Sequence, residues 1–407
     1  MVKQKTSGGM GGEIAPTLGV VAMTLYLMVL PMGHVAALRS VLLAVALVVA
    51  AWMWAGARTS LRPGLMAGMF AGWLAVALGS VLWAGRPVYT LDSALADVPR
   101  AALGFWAGMI LARAGAGWRM AAVAGVLFFC VSAPMAIMAP RNGLIWQPGW
   151  LPAIGDYSTD SLVFFPVVVA ALWCDWRNRS RLWQGFLMTG LIAGLVGSAL
   201  SISRTFWLVL VLQLVLAAIF VLNRPDTPRR DRMRWLLVLA AVATACVAVA
   251  AWIAHSRGMP LTYFSDRAEI YPRVVDKLLH GPWLGHGYGK ESDYLWYLQA
   301  FPDFHGIFHP HDLLLSFIDQ LGVLGIPLLL ALLGVPAWLF WRGYGRGAME
   351  DRVVAVAGMA IMLGVVAKNS TDLFFYKSHL WLLYGVLGLL LGHLARDEAR
   401  RKGIRPA

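Results

Sequence analysis

His311–Trp341 reads HDLLLSFIDQLGVLGIPLLLALLGVPAWLFW. From Leu313 onward it carries one ionisable side chain, Asp319, and it is longer than the roughly 20 apolar residues needed to cross a bilayer. A long polar segment precedes it, so His311 and Asp312 stand at the point where the chain returns to the lipid. Working outward, runs of the same kind occupy 16–37, 40–56, 63–84, 99–115, 118–139, 159–175, 183–202, 205–222, 235–254, 353–368 and 379–395. With 313–341 they predict an all-α integral membrane protein of about twelve transmembrane helices.

Of the 407 residues, 59% are hydrophobic and 14% charged, which lies outside the range of soluble globular chains. The first run is too long for a signal-peptide core and reads as an uncleaved anchor. The pattern divides the chain into a tail (1–15), helices 1–9 (16–254), a loop domain (255–311), helices 10–12 (312–395) and a second tail (396–407). No internal repeat is visible, nor the paired broken helices of many secondary transporters. Cys130, Cys174 and Cys246 fall in or at the ends of spans, so neither a disulfide nor a haem site is expected.

Most of the 34 Lys and Arg fall in the two tails and in the turns that share their side of the bundle, such as 176–182, 223–234 and 342–352. The positive-inside rule therefore places both termini in the cytoplasm and the 255–311 loop outside. The net charge of +13 reads as a topology signal and an attraction to anionic lipid, with no call for nucleic acid. Many of the 19 Trp lie near span ends, where interfacial belts form.

The outer loop has order of its own. Ile270, Val274, Val275, Leu278 and Leu279 recur at helical spacing within 266–280, predicting an amphipathic surface helix. Gly281-Pro282 ends it, Gly285, Gly287 and Gly289 form a turn-rich stretch, and 293–301 suggests a second short helix. Long ordered loops on compact bundles usually carry function. Charge near the middle of spans is scarce, which weighs against an ion-coupled pump or transporter.

All of the nine His except His393 fall on the loop side. His311 can act as a neutral base toward a hydroxyl, or it can simply hydrogen-bond the helix that starts at Asp312. His309 could serve in the same way. His305, His309 and His311 have ligand-like spacing, but Pro310 interrupts it and no Cys is near, so no metal site is expected. Arg204, in the turn Ser201-Ile202-Ser203-Arg204-Thr205, has no positive-inside reason to be there and calls for an anionic partner. Arg267, Arg273 and Arg100 share that side. Guanidinium suits phosphate oxygens, and the bland alternatives are snorkelling or pairing with Asp266, Asp276 or Asp97. Asp160 and Asp312 sit where helix dipoles favour carboxylates. Asp372 caps an outer turn and could line a site, while Asp319 calls for a polar partner or water.

Taken together, His311-Asp312-x9-Gly322-x-x-Gly325, Ser203-Arg204-Thr205, Arg267-x-x-Ile270-Tyr271, Pro282 to Gly287 and the polar turn Asn369 to Phe375 resemble the O-antigen ligase and polymerase superfamily, the ligases most closely. The resemblance covers roughly 190–395. Asp312 stands where the family usually has Asn, Ser or Gln, and Ile326-Pro327 replaces a Thr-rich continuation, so ligase and polymerase both stay open. The resemblance implies an inverting, metal-independent GT-C-type glycosyltransferase of the Gram-negative inner membrane that needs no cofactor. Its donor would be an undecaprenyl diphosphate-linked glycan and its acceptor the lipid A–core of lipopolysaccharide. His311 would be the base, and Arg204 and Arg267, with Arg100 and Arg273 in reserve, would hold the diphosphate. His309, Asp312, Asp160 and Asp372 would support the acceptor side. A polysaccharide or lipid transporter is the competing reading from another class; it would not need His311.

Overall fold

The computed structural model describes residues 11–57, 64–113, 117–142, 145–146, 149–176, 179–222, 229–256, 265–302, 307–371 and 373–401. The chain is an all-α integral membrane protein, with one two-residue hairpin at 141–146. The helices before the loop are α1 (Gly11–Val29), α2 (Ala36–Ala57), α3 (Leu65–Gly79), α4 (Pro87–Leu111), α5 (Arg119–Met138), α6 (Ile154–Asp175), α7 (Arg181–Leu200), α8 (Arg204–Leu222) and α9 (Arg229–Ser256). The loop contributes α10 (Ser265–His280) and α11 (Tyr294–Ala300), and α12 (Leu313–Leu321), α13 (Gly325–Arg346), α14 (Met349–Asn369) and α15 (Lys377–Arg401) follow.

Each of the twelve expected spans overlaps helix in its described residues, though the first runs past the end of α1 at Val29. Among the described residues, eight helices are long and apolar enough to cross a membrane, and α1, α8 and α9 contain shorter apolar stretches. The helix α14 begins with Glu350, Asp351 and Arg352, which shortens its uncharged length. The turns after α1, α3, α5, α7 and α14 share one end of the bundle with α10 and α11; we call this the loop end. Arg179, Arg181, Arg342, Arg352 and Arg396 gather at the opposite, basic end.

Two departures from the sequence expectation have clear physical causes. The stretch 85–98 is not a loop: α4 starts at Pro87, whose missing N–H costs nothing in the first helical turn. Arg100 therefore lies well inside α4 instead of opening it. Asp97 is buried at 4% exposure because it accepts the Lys377 N–H at 2.8 Å and the Tyr288 hydroxyl at 3.2 Å. The helix α4 packs along α15, where Gly108, Gly388 and Gly392 let backbone meet backbone.

The second departure is at 313–341, which is two helices. The nine residues of α12 rise only about 13 Å, so α13 makes the crossing. Gly322 breaks them apart at φ +58°, and a Cβ there would collide with the Trp283 carbonyl. The glycine-rich loop threads this break. His286 N–H donates to Asp319 O (3.0 Å), Gly287 N–H to Gln320 O (2.8 Å) and Val323 N–H to Trp283 O (2.9 Å). The first two bonds satisfy carbonyls that the end of α12 would leave bare, and the third ties the start of the next turn back to the loop. A Cβ on Gly325 would meet the Phe317 carbonyl, so both signature glycines serve this junction.

Candidate functional site

The loop helices stand on a small core of their own, formed by Ile270, Val274, Tyr297, Phe301 and Ile307. Lys277 falls on the same stripe of α10, and its side chain is only 7% exposed. A buried ammonium needs partners. It finds Asp293 at 2.5 Å and Asp319 at 2.6 Å, and lies over the Trp296 and Tyr297 rings. The Tyr297 hydroxyl donates to the second oxygen of Asp319 at 2.9 Å, and burial beside that carboxylate pushes the phenol well up from its usual range. His286 completes the knot, 3.3 Å from Asp319 and 3.5 Å from Asp293. Burial alone would lower its pKa, but the hydrogen bond to Asp319 and the two carboxylate charges outweigh that and raise it. By donor type, His286, Asp293 and Asp319 could ligate a divalent ion, since their ligand atoms lie within 4.8 Å of one another. Lys277 already supplies the cation between the two carboxylates.

Above this knot, α10 reaches the junction that begins α12. The Arg267 Nε donates to the Thr371 carbonyl at 2.6 Å, which leaves its two Nη groups as the remaining donors. One turn later, the Tyr271 hydroxyl lies 3.3 Å from both the His311 and Ser370 carbonyls. His311 is half-buried and adopts φ +57°, a left-handed conformation uncommon outside glycine. Its backbone N–H donates to Nδ1 of His309 at 3.0 Å, and the two rings lie 4.0 Å apart. His309 is buried, and with Nδ1 accepting, its neutral ring carries its hydrogen on Nε2. Asp312 is the N-cap of α12, accepting the Leu315 N–H at 2.8 Å, and burial raises its pKa.

Arg204 opens α8 at the same end, after a turn in which buried Ile202 takes φ +53°. Its helix packs on α14, whose C-terminus leads to Ser370 and Thr371. The other two arginines have local partners. Arg100 stacks on the Trp381 ring (4.8 Å), and Arg273 pairs with Glu269 (2.9 Å) and the Ala300 carbonyl (2.7 Å). Asp160 lies deeper, bound to His379 Nδ1 at 2.7 Å, while His379 Nε2 meets Asp156 at 3.1 Å. Asp372 and His305 lie outside the described residues.

Three participants were missed in the sequence, and two of them left a signal. Lys277 lies on an apolar stripe, and Asp156 with Asp160 places like charges one helical turn apart, which calls for a cation between them. Tyr271 ends the Arg267-x-x-Ile270-Tyr271 motif, but nothing there gives its role, because its partners are carbonyls far along the chain.

No curated protein matches the chain. Residues 189–330 match the family model described as O-antigen ligase, a stretch that runs from α7 through α10 and α11 to the α12–α13 break. That segment, which contains Arg204, Arg267, His311 and both signature glycines, is the part of the chain that is similar to the O-antigen ligase family.

Proposed function

We propose that the protein transfers a glycan from undecaprenyl diphosphate to the lipid A–core of lipopolysaccharide at the outer face of the Gram-negative inner membrane. Both termini would lie in the cytoplasm and the loop end in the periplasm. Family similarity supports glycosyl transfer within the O-antigen ligase and polymerase superfamily. The observation that carries the finer reading is the meeting of the His311 junction with the Arg267 turn at the loop end.

In this reaction an acceptor hydroxyl loses its proton to His311 as its oxygen attacks the anomeric carbon. The anomeric C–O bond to diphosphate breaks on the opposite face, and undecaprenyl diphosphate leaves with the electron pair, inverting the configuration. Diphosphate is a competent leaving group, so the main task is to stabilise its developing charge. Arg204 and the Nη groups of Arg267 take that part, with Arg100, stacked on Trp381, and Arg273, paired with Glu269, in reserve. His309 accepts the His311 N–H through Nδ1 and so holds the neighbouring base in position. Asp312 shapes the junction as a cap, and Asp160 braces α6 against α15 through His379.

The test is transfer of a lipid diphosphate-linked glycan to purified lipid A–core by the purified protein, with EDTA present. Transfer to the core supports a ligase that needs no metal. Chain growth on the lipid-linked glycan itself makes the protein a polymerase. Neither product sinks the proposal, and loss of transfer on adding EDTA removes metal independence.

A further inference from the structure

We propose that Tyr271 is a positioning residue for His311, and that α10 acts as a clamp that assembles the site. The inference rests on the proposed transfer reaction for its kinetics, but the geometry stands by itself. Residues 267 and 271 are one turn apart and share a face of α10. Each reaches a carbonyl on a different part of the chain: Arg267 holds Thr371, and Tyr271 holds His311 and Ser370. A phenol has one hydrogen, so that hydrogen is shared between the entry to α12 and the exit from α14.

The clamp matters because His311 is not held by regular structure. It precedes α12, follows Pro310 and sits in the left-handed region, where a residue with a Cβ stays only if its surroundings fix it. Its N–H is fixed by His309 and its carbonyl by Tyr271, so both ends of the residue are pinned. Pinning the backbone sets where the imidazole points. The clamp itself is anchored from below by Lys277, which ties α10 to Asp319 of α12. The structure thus separates three duties on one helix: Arg267 for the ligand, Tyr271 for the base, and Lys277 for docking.

Tyr271→Phe keeps the ring and removes one oxygen. The first measurement is the carbethoxylation rate of His311 by diethyl pyrocarbonate, read by peptide mass spectrometry in the purified full-length protein. Exposed His280 at the far end of α10 is the internal standard. We expect the His311 rate to change by about threefold or more while His280 keeps its wild-type rate. The second measurement is steady-state transfer, where losing one positioning hydrogen bond should lower kcat about tenfold with the donor KM within about twofold. A wild-type rate at His311 overturns the clamp, whatever the transfer assay gives. So does a raised donor KM at unchanged kcat, which would make Tyr271 a ligand contact. If the wild type transfers nothing while His311 still responds, the clamp stands and the transfer reaction falls.

Discussion

The two ends of the bundle use arginine in opposite ways. At the basic end, Arg119 grips Asp175 with two bonds of 2.8 and 2.7 Å and reaches Glu350 at 2.7 Å. Trp118 donates to Glu350 and Trp183 to Asp175, so the knot joins α5, α6, α7 and α14 with each charge meeting its opposite. At the loop end, Arg267 and Tyr271 hold main-chain carbonyls, which carry only partial charge. The first arrangement consumes the guanidinium charge in holding helices together. In the second, carbonyls orient the guanidinium, and among the described residues no carboxylate is paired with Arg267. A cation matched by carboxylates is architecture; one aimed by carbonyls suits the diphosphate role proposed for it.

The largest expected contrast between the ends is in chemistry. His311→Ala should lower kcat by about 10²–10⁴-fold, the range of a general base, with the thermal midpoint of the purified protein almost unchanged. His309→Ala should cost only about tenfold, one hydrogen bond's worth of positioning. Comparable losses from both would leave the base unassigned. Arg119→Met should do the reverse, costing on the order of 3 kcal/mol of stability by stranding buried Asp175, seen as a lower midpoint in detergent. If Arg119→Met leaves the midpoint in place and abolishes transfer, the contrast between the ends is broken.

Gly322→Ala tests the junction between loop and bundle. The new Cβ collides with the Trp283 carbonyl at a left-handed position, so about 2 kcal/mol should be lost, and amide exchange in 283–289 should accelerate. Unchanged exchange there would detach the signature glycine from the loop. Arg267→Lys keeps the charge but loses the fork, and should raise donor KM about tenfold while sparing the midpoint. The smallest effect concerns pH. The folded pKa of His286 is raised, so its stabilising contribution is complete below the unfolded value near 6.5 and is lost as pH climbs through the folded value. Amide protection of α10 should therefore fall by under about 1 kcal/mol between pH 6 and 9, and less so in Asp293→Asn. Protection that rises over this range would reverse the assignment of His286 to the knot.

What could be read in the sequence follows how local each signal is. Apolar runs announce helix, so every expected span overlaps one, and the stripe through Ile270 and Val274 announces α10. The start of α4 was hidden because Asp92 and Asp97 make 87–98 look like a loop. What buries Asp97 is Lys377, 280 positions away. The break at Gly322 was hidden for a similar reason, since 313–341 is uniformly apolar and only the threading of Trp283 to Gly289 splits it. The site divides the same way. Its charged members, Arg204, Arg267 and His311, stand out by type at an unexpected place. Tyr271 and Lys277 act through partners that no spacing reveals.

The pairing of α4 with α15 also sets a timetable for the making of the protein. The fourth helix enters the membrane early, with Asp97 and a seam of glycines meant for a partner that the ribosome reaches much later. At about 5–20 residues per second, the 280 positions from Asp97 to Lys377 take roughly a quarter of a minute to one minute. Until then the carboxyl group can be met by the Tyr288 hydroxyl, made 191 positions after it, but its second partner is still missing. Helix α15 is therefore a keystone of assembly, and a chain released before α15 is made should be recognised as unfinished and degraded.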